Sequence, residues 1–259
     1  MYRVLSWLER RIRHLRWNYT RSGRSNRADF RVHLLCVKNP VYAKIAQVCV
    51  ESFLFHHPAA TVIVHCDEAT VSAAEDLLGR SRRGRKASVV ATFEGSVASW
   101  QEHKVDLILS MNGTSDIFID ADLRWNGPIP RPISGITLFV NEFDMTERSP
   151  YLQVVRRLAP GLTSAHMYNT SFFTFGSVDV GSDLLANVRS ELECFPQTLE
   201  HSDLGRSDLD QLMRIREQIV LGVSLQIAGL QISTLKDSDT VRDGAFVESS
   251  YFGATGSSF

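Results

Sequence analysis

The 259-residue sequence contains no run of 18 or more apolar residues, so no segment reads as a membrane-spanning helix. Its four cysteines, Cys36, Cys49, Cys66 and Cys194, are widely spaced and form no CxxC pair, which argues against a zinc site or a disulfide framework. Three of them stand in stretches that read as buried strand or helix, where a thiol behaves as a small hydrophobe, and a reducing compartment is expected. The start does not read as a secretory signal, because Glu9, Arg10, Arg11 and Arg13 interrupt what would have to be apolar. No internal repeat is found. An overall excess of one charge is also lacking, the net charge being −1.

That balance hides an asymmetry. Residues 1–31 hold nine arginines against Glu9 and Asp29, leaving 19 basic and 27 acidic residues in the body. An acidic body lacks the clustered positive face that phosphate-backbone binding requires, so a nucleic-acid partner is not expected. The basic run Arg80, Arg82, Arg83, Arg85 and Lys86 has no interleaved aromatic residues and reads as a solvated loop.

With 44% hydrophobic and 22% charged residues, the chain has the composition of an ordinary globular protein and can bury a substantial core. Residues 1–17 place Val4, Leu5, Leu8, Ile12 and Leu15 at helical spacing among arginines, with Trp7 and Trp17 as amphipathic rings. Two readings stand for this basic helix: a peripheral anchor on an anionic membrane surface at the inner face, or a helix packed on the body or a partner. Residues 18–29 read as a linker. Together, 1–29 form a basic helix and linker, 30–246 a single domain, and 247–259 a flexible tail.

Within the body, Arg31–Val37 reads as a buried strand, followed by Asn39 and Pro40 as helix cap and helix-start proline. A helix over 43–55 stops at His57-Pro58. A second strand, 61–66, is tipped by Asp67 and Glu68, and residues 70–79 read as helix. A third strand spans 87–93, and a helix from about 99 to 112 ends at Gly113. The fourth strand is the stretch Ser115-Asp116-Ile117-Phe118-Ile119-Asp120-Ala121-Asp122-Leu123-Arg124-Trp125, an apolar strand that ends in the two carboxylates. This alternation predicts an α/β fold with a mostly parallel, Rossmann-like sheet flanked by helices. Further on, 135–141 reads as a strand ending in Glu142 and Asp144, 151–158 as helix, 168–175 as strand, and 180–195 as helix. A long amphipathic stretch starting at Ser207 or Asp208 ends near Gly229, before a short strand at 230–235.

Asp120 and Asp122 stand i, i+2 at the end of a strongly apolar strand, where alternation would turn both to the same side. Two carboxylates so placed suit a hard cation, Mg²⁺ or Mn²⁺, whose shell is completed by phosphate oxygens; the plain alternative is a pair of acids ending a strand in solvent. Ligands of doubly wound sheets bind beyond the carboxyl ends of the strands, and topology puts Asp67 on that same edge.

Taken together, four stretches resemble the GT-A nucleotide-sugar glycosyltransferases: the first strand with Asn39, the second ending at Asp67, the helix carrying Lys104 before the Asp120-Ala121-Asp122 triplet, and Tyr168-Asn169-Thr170-Ser171-Phe172-Phe173-Thr174-Phe175. The resemblance covers roughly residues 31–235. It implies a GT-A-like fold and transfer of a sugar from a nucleotide-diphosphate donor to a hydroxyl acceptor on a glycan or glycolipid. It also implies that Asp120 and Asp122 handle Mn²⁺ or Mg²⁺ and the donor diphosphate, with Asn39, Asp67, Lys104 and Asn169 near the donor. An inverting route needs a base for the acceptor proton. Candidates are Glu217, Asp210, Asp144 and Glu142, with Glu217 favoured because Arg216-Glu217-Gln218 resembles the acidic helix start that faces the acceptor in that family. One departure stands out: many members supply a further metal ligand, often histidine, near the C-terminus, and no histidine follows His201 here, which leaves Tyr251, water or another acid for that place.

Two rival classes remain. A non-catalytic nucleotide-sugar-binding protein fits the missing ligand. A phosphoryl-transfer enzyme of the haloacid-dehalogenase type fits poorly, because its acidic pair belongs to the first strand and is followed by Thr or Val, where this chain has Leu123 after three earlier strands.

Overall fold

The first strand, β1 (Arg31–Cys36), alternates strictly: Val32, Leu34 and Cys36 are buried on one face, whereas His33 and Leu35 are half-buried on the other. The computed structural model describes residues 30–93, 100–125, 128–129, 133, 135–147, 149, 151–200, 202, 204–235 and 247–249. The expected basic helix, its linker and residues 250–259, including Tyr251, lie outside the described residues.

After β1 come α1 (Val41–His56), β2 (Thr61–Asp67), α2 (Val71–Arg80), β3 (Ala87–Phe93), α3 (Trp100–Ser110), β4 (Ile117–Ile119), β5 (Leu123–Trp125) and β6 (Ile136–Met145). These lead to α4 (Tyr151–Leu158), β7 (Ala165–Thr174), α5 (Ser182–Glu200), α6 (Arg206–Arg214), α7 (Arg216–Ile227), β8 (Ile232–Thr234) and β9 (Val247–Ser249). The main sheet has seven strands in the order β3-β2-β1-β4-β7-β6-β8. Strands β3, β2, β1 and β4 run parallel, and β8 runs parallel to β6. Only β7 runs antiparallel to both of its neighbours, β4 and β6. The α/β fold with a mostly parallel sheet is therefore as the sequence predicts.

The sheet is packed on both faces. Phe53, Trp125, Ile117, Ile119 and Phe172 belong to one core, and Ile108, Phe118, Phe173, Phe195 and Val220 to the other. Consecutive residues Phe172 and Phe173 go to opposite cores because side chains alternate along a strand. Strand β4 is buried on both sides, which is why it reads as a continuous apolar run. At the far end of β7, Gly176 takes φ +58°, and a Cβ there would collide with the Gly135 backbone. The three cysteines expected inside are buried, and all four are free thiols.

Four sequence-based boundaries change. Strand β4 ends at Ile119, so the acid pair stands in a turn leading to β5 rather than on the strand. Strand β6 runs on to Met145, so Glu142 and Asp144 lie inside it. The stretch from Ser207 to Gly229 is two helices, α6 and α7, broken at Ile215. Val247–Ser249, at the start of the expected tail, pair antiparallel with β5 as a small second sheet.

Candidate functional site

The turn that carries the acid pair is held from two sides. The Asp120 N–H donates to the Ser171 carbonyl at 2.8 Å, prolonging the β4–β7 ladder by one residue. Leu123 N–H closes the turn on the Asp120 carbonyl at 3.3 Å. From α1, the Cys49 thiol donates to the same carbonyl at 3.6 Å, and the Ser52 hydroxyl accepts the Trp125 N–H at 3.1 Å. Two backbone strands and one helix thereby fix where Asp120 and Asp122 stand.

Lys104, projecting from α3, is only 1% exposed. Its ammonium donates to Asp120 Oδ2 at 2.9 Å and lies 3.7 Å from Glu217 Oε1. Burial opposes its charge, but the carboxylates of Asp120 and Glu217 outweigh burial and hold the amine above its ordinary value. Three acids thus share one cation. Asp120 has the shortest contact, and the other two carry the excess: burial and the neighbouring Asp120 charge push Asp122 up to about 6, and burial raises Glu217 despite Lys104.

Glu217 opens α7 and is 1% exposed, with Oε2 taking no hydrogen bond among the described residues. The break at Ile215 is what puts it in the first turn of a helix. Its neighbour Arg216 donates to Glu102 Oε1 at 3.2 Å.

Asp67, expected near the donor, is 1% exposed, and both of its carboxylate oxygens are bonded within the protein. Its Oδ2 accepts the Lys38 N–H at 2.6 Å, and its Oδ1 accepts the Thr70 N–H at 3.0 Å and faces the Thr70 hydroxyl at 2.7 Å. Burying a carboxylate this way is tolerable because several donors replace its water. Asn39 is exposed at the β1 edge, and its Oδ1 accepts the Val41 N–H at 2.9 Å at the start of α1.

Asn169 stands two residues before Ser171 on β7, about 7 Å along the strand from the acid turn. Its amide donates to Glu142 Oε1 at 2.7 Å, and its carbonyl accepts the Ser171 N–H at 2.8 Å. Asp144 pairs with His166, five residues before Ser171 and about 17 Å along the strand. It bonds to Asn141 at 2.9 Å and His166 at 2.6 Å, and these bonds hold its carboxyl below the ordinary value. The structure therefore gathers Asp120, Asp122, Lys104 and Glu217, places Asn169 and Glu142 beside them, and sets Asp144 apart. Asp210 lies on α6, the helix before the break.

The donor set of the acid pair decides whether it suits a cation. Among the described residues no group of three or more His, Cys, Asp or Glu side chains converges. Mg²⁺ and Mn²⁺ nevertheless commonly take one or two carboxylates and complete their shell with water and phosphate oxygens. Asp120 Oδ1 has no protein donor among the described residues, and the Asp120 and Glu217 carboxylates both lie within 4 Å of the single Lys104 ammonium, with Asp122 two residues from Asp120. The residues fit such an ion, provided that the ligand supplies the rest.

Lys38, Trp100 and Arg216 are at this site and went unpredicted. Lys38 stands two residues past the carboxyl end of β1 and Trp100 opens α3, so position at the ligand-binding edge was the available signal.

No sequence family and no curated protein matches the chain. In shape the chain is similar to solved glycosyltransferase structures. Galactosyltransferase LgtC, in complex with donor and acceptor sugar analogues, is 8% identical with a TM-score of 0.47, covering 75% of this chain and 70% of that one. Mouse xyloside xylosyltransferase 1 is 14% identical at 0.39, covering 80% and 85%. Mannosyltransferase PcManGT from Pyrobaculum calidifontis, in complex with GDP-Man and Mn²⁺, is 13% identical at 0.37, covering 87% and 61%. All three scores fall below 0.5, so activity is argued from this chain's own residues.

Proposed function

We propose that the chain is a metal-assisted glycosyltransferase, moving a sugar from a nucleotide-diphosphate donor to a hydroxyl of a glycan or glycolipid. One observation carries this reading: an acid pair at the carboxyl edge of a mostly parallel sheet, set beside a buried lysine that Asp120 and Glu217 share. Such a site is built to receive a cation together with an anionic ligand.

In this reading Asp120 and Asp122 hold Mn²⁺ or Mg²⁺, which when bound would neutralise the charge growing on the leaving diphosphate. Lys104 fixes Asp120 in place through the 2.9 Å contact. The amide of Asn169 and the carboxylate of Glu142 form a polar pair that would orient sugar or acceptor hydroxyls. Asn39 at the β1 edge would contribute to the donor side, whereas Asp67 acts through the backbone it binds.

The burial of Glu217 changes its part. A base must reach the acceptor proton within hydrogen-bond distance, and Glu217 is shielded behind Lys104. It serves better as a positioning residue for Lys104, leaving Glu142, an exposed acid bonded to Asn169, as the candidate base. The same burial favours the second reading, a non-catalytic nucleotide-sugar-binding protein.

The basic segment 1–17 is proposed to touch an anionic membrane surface, in keeping with a glycolipid acceptor and a peripheral location at the inner face. Among the described residues no helix is long and apolar enough to cross a membrane.

A nucleotide-sugar panel in a thermal-shift assay, with and without Mn²⁺, tests the donor site. The expected result is a rise in melting temperature for one donor class that needs the metal and is lost in Asp122→Asn. No shift from any nucleotide or nucleotide sugar would overturn the reading. Donor binding without hydrolysis or transfer, across metals and acceptors, would select the binding protein over the enzyme.

A further inference from the structure

Lys38 stands at the carboxyl edge of the sheet, two residues past the end of β1, in a conformation that lysine rarely adopts. Its φ is +79°, in the left-handed region where a Cβ crowds the backbone. Such strain persists only when the surroundings fix it. Here they do: the buried carboxylate of Asp67 accepts the Lys38 N–H at 2.6 Å, and Thr70 holds the other oxygen of Asp67. The fold thus commits a fully buried acid to one strained loop residue.

The side chain so placed is unusual in its company. The Lys38 ammonium lies 5.8 Å from the centre of the Trp100 ring, and the Lys104 ammonium lies 6.0 Å from the same ring. The indole therefore links an exposed cation to the one buried beside Asp120. Among the described residues Lys38 has no carboxylate within ion-pair distance, whereas Lys104 is taken up by Asp120 and Glu217. Partial burial, and then the nearby charge of Arg216, hold the Lys38 amine below its ordinary value. A solvent-exposed lysine normally swings away from a guanidinium, because its stem is flexible and water solvates it well. Arg216, bonded to Glu102 at 3.2 Å and next in sequence to Glu217, adds a second positive charge near Lys38, and the two cations beside the acid pair offer a place for an anion.

We infer that Lys38, together with Arg216, binds a phosphate group of a nucleoside diphosphate, and that Asp67 is the positioning residue that sets Lys38 there. The inference rests on the proposed donor site. A diphosphate whose oxygens meet a cation held by Asp120 and Asp122 would turn its remaining oxygens toward these two cations. Arginine offers a planar fork matching phosphate, and lysine a movable point charge. The strained backbone is the cost of keeping that charge aimed inward before the ligand arrives.

The test is isothermal titration of the full chain with UDP, GDP and ADP, and with inorganic pyrophosphate, each in the presence of Mg²⁺. Lys38→Met keeps the stem and removes the charge, Lys38→Arg keeps the charge, and Lys38→Gly removes both side chain and strain. Lys38→Met is expected to weaken nucleoside diphosphate binding about tenfold or more, the scale of one charged hydrogen bond, with Lys38→Arg restoring most of it. Lys38→Gly should bind as weakly as Lys38→Met while melting at a higher temperature, which a merely structural role for Lys38 would not produce. Asp67→Asn should weaken binding in the native background and add nothing to Lys38→Met, as expected of a residue acting through Lys38.

Binding unchanged in Lys38→Met, within about twofold, would overturn the inference and leave the donor site standing. Pyrophosphate bound in a Lys38-dependent way, with no nucleoside diphosphate bound, would support the anion site and remove the donor reading. Absence of binding by the native chain to any of the four compounds would overturn both.

Discussion

The Lys104 ammonium, 1% exposed, stands 2.9 Å from Asp120 Oδ2, the nearest carboxylate in a cluster of three. A buried pair of this kind is weak in its favour and costly to break, because removing one member leaves the other desolvated and unpaired. Lys104 is therefore both the organiser of the acid turn and the point where the domain is most sensitive to a charge change.

Lys104→Met should destabilise the domain by about 3–5 kcal/mol at pH 7, since Asp120 and Glu217 would lose their cation together. Urea unfolding followed by circular dichroism measures this. Adding Glu217→Gln should recover part of the loss, and a strictly additive double variant would show that the two side chains do not interact.

Stability of the metal-free protein should depend on pH through Asp122. Its folded-state value is raised from 3.8 to about 6, so between those values the folded chain binds a proton that the unfolded chain has released. This contribution to stability is full below the unfolded value, falls as pH rises through the window, and is lost above about 6. Asp122→Asn should flatten that slope and raise the melting temperature at pH 7, with roughly 2–4 °C expected per kcal/mol for a domain of this size. An unchanged slope between pH 4 and pH 6.5 would count against the assignment.

Metal affinity should follow the same proton with the opposite consequence. An ion binding Asp122 must displace the proton, so Mn²⁺ should bind more weakly at pH 5.5 than at pH 7.5, with proton release at the lower pH. Calorimetry in two buffers of different ionisation enthalpy detects the released proton.

Gly176→Ala should cost about 2 kcal/mol or more, because the residue has φ +58° and the added methyl would strike the Gly135 backbone. The loss should appear in denaturation without altered metal binding at the acid turn, about 17 Å away along the chain beside Ser171. A neutral substitution would mean that the β6–β7 end relaxes freely.

The resemblance stated from the four stretches survived in its spatial consequence rather than its details. Asp120 and Lys104 do meet, since the acid pair follows the end of β4 and Lys104 lies on α3, the helix that leads into that strand. Asp67 was legible as a strand-end acid but not as a buried one. Whether such an acid faces ligand or its own backbone depends on the loop from the neighbouring strand, here Lys38, and no pattern within β2 carries that.

By itself the sequence determined the α/β order, the alternation that buries Val32 and Leu34, the start of α1 after Asn39-Pro40, and an acid pair at the end of an apolar strand. These are local matters, fixed by side-chain periodicity and backbone restriction, which act within a few residues. Only the tertiary structure decided that Ile215 breaks a helix and brings Glu217 to Lys104, that Asp144 stays with His166 away from the acid turn, and that the Lys38 backbone is held by Asp67. The physical reason is that charge balance in a buried site is settled by packing between elements distant in the chain. Hydrophobic periodicity tells which face of α3 or α7 is buried, but not which charged groups that burial forces together.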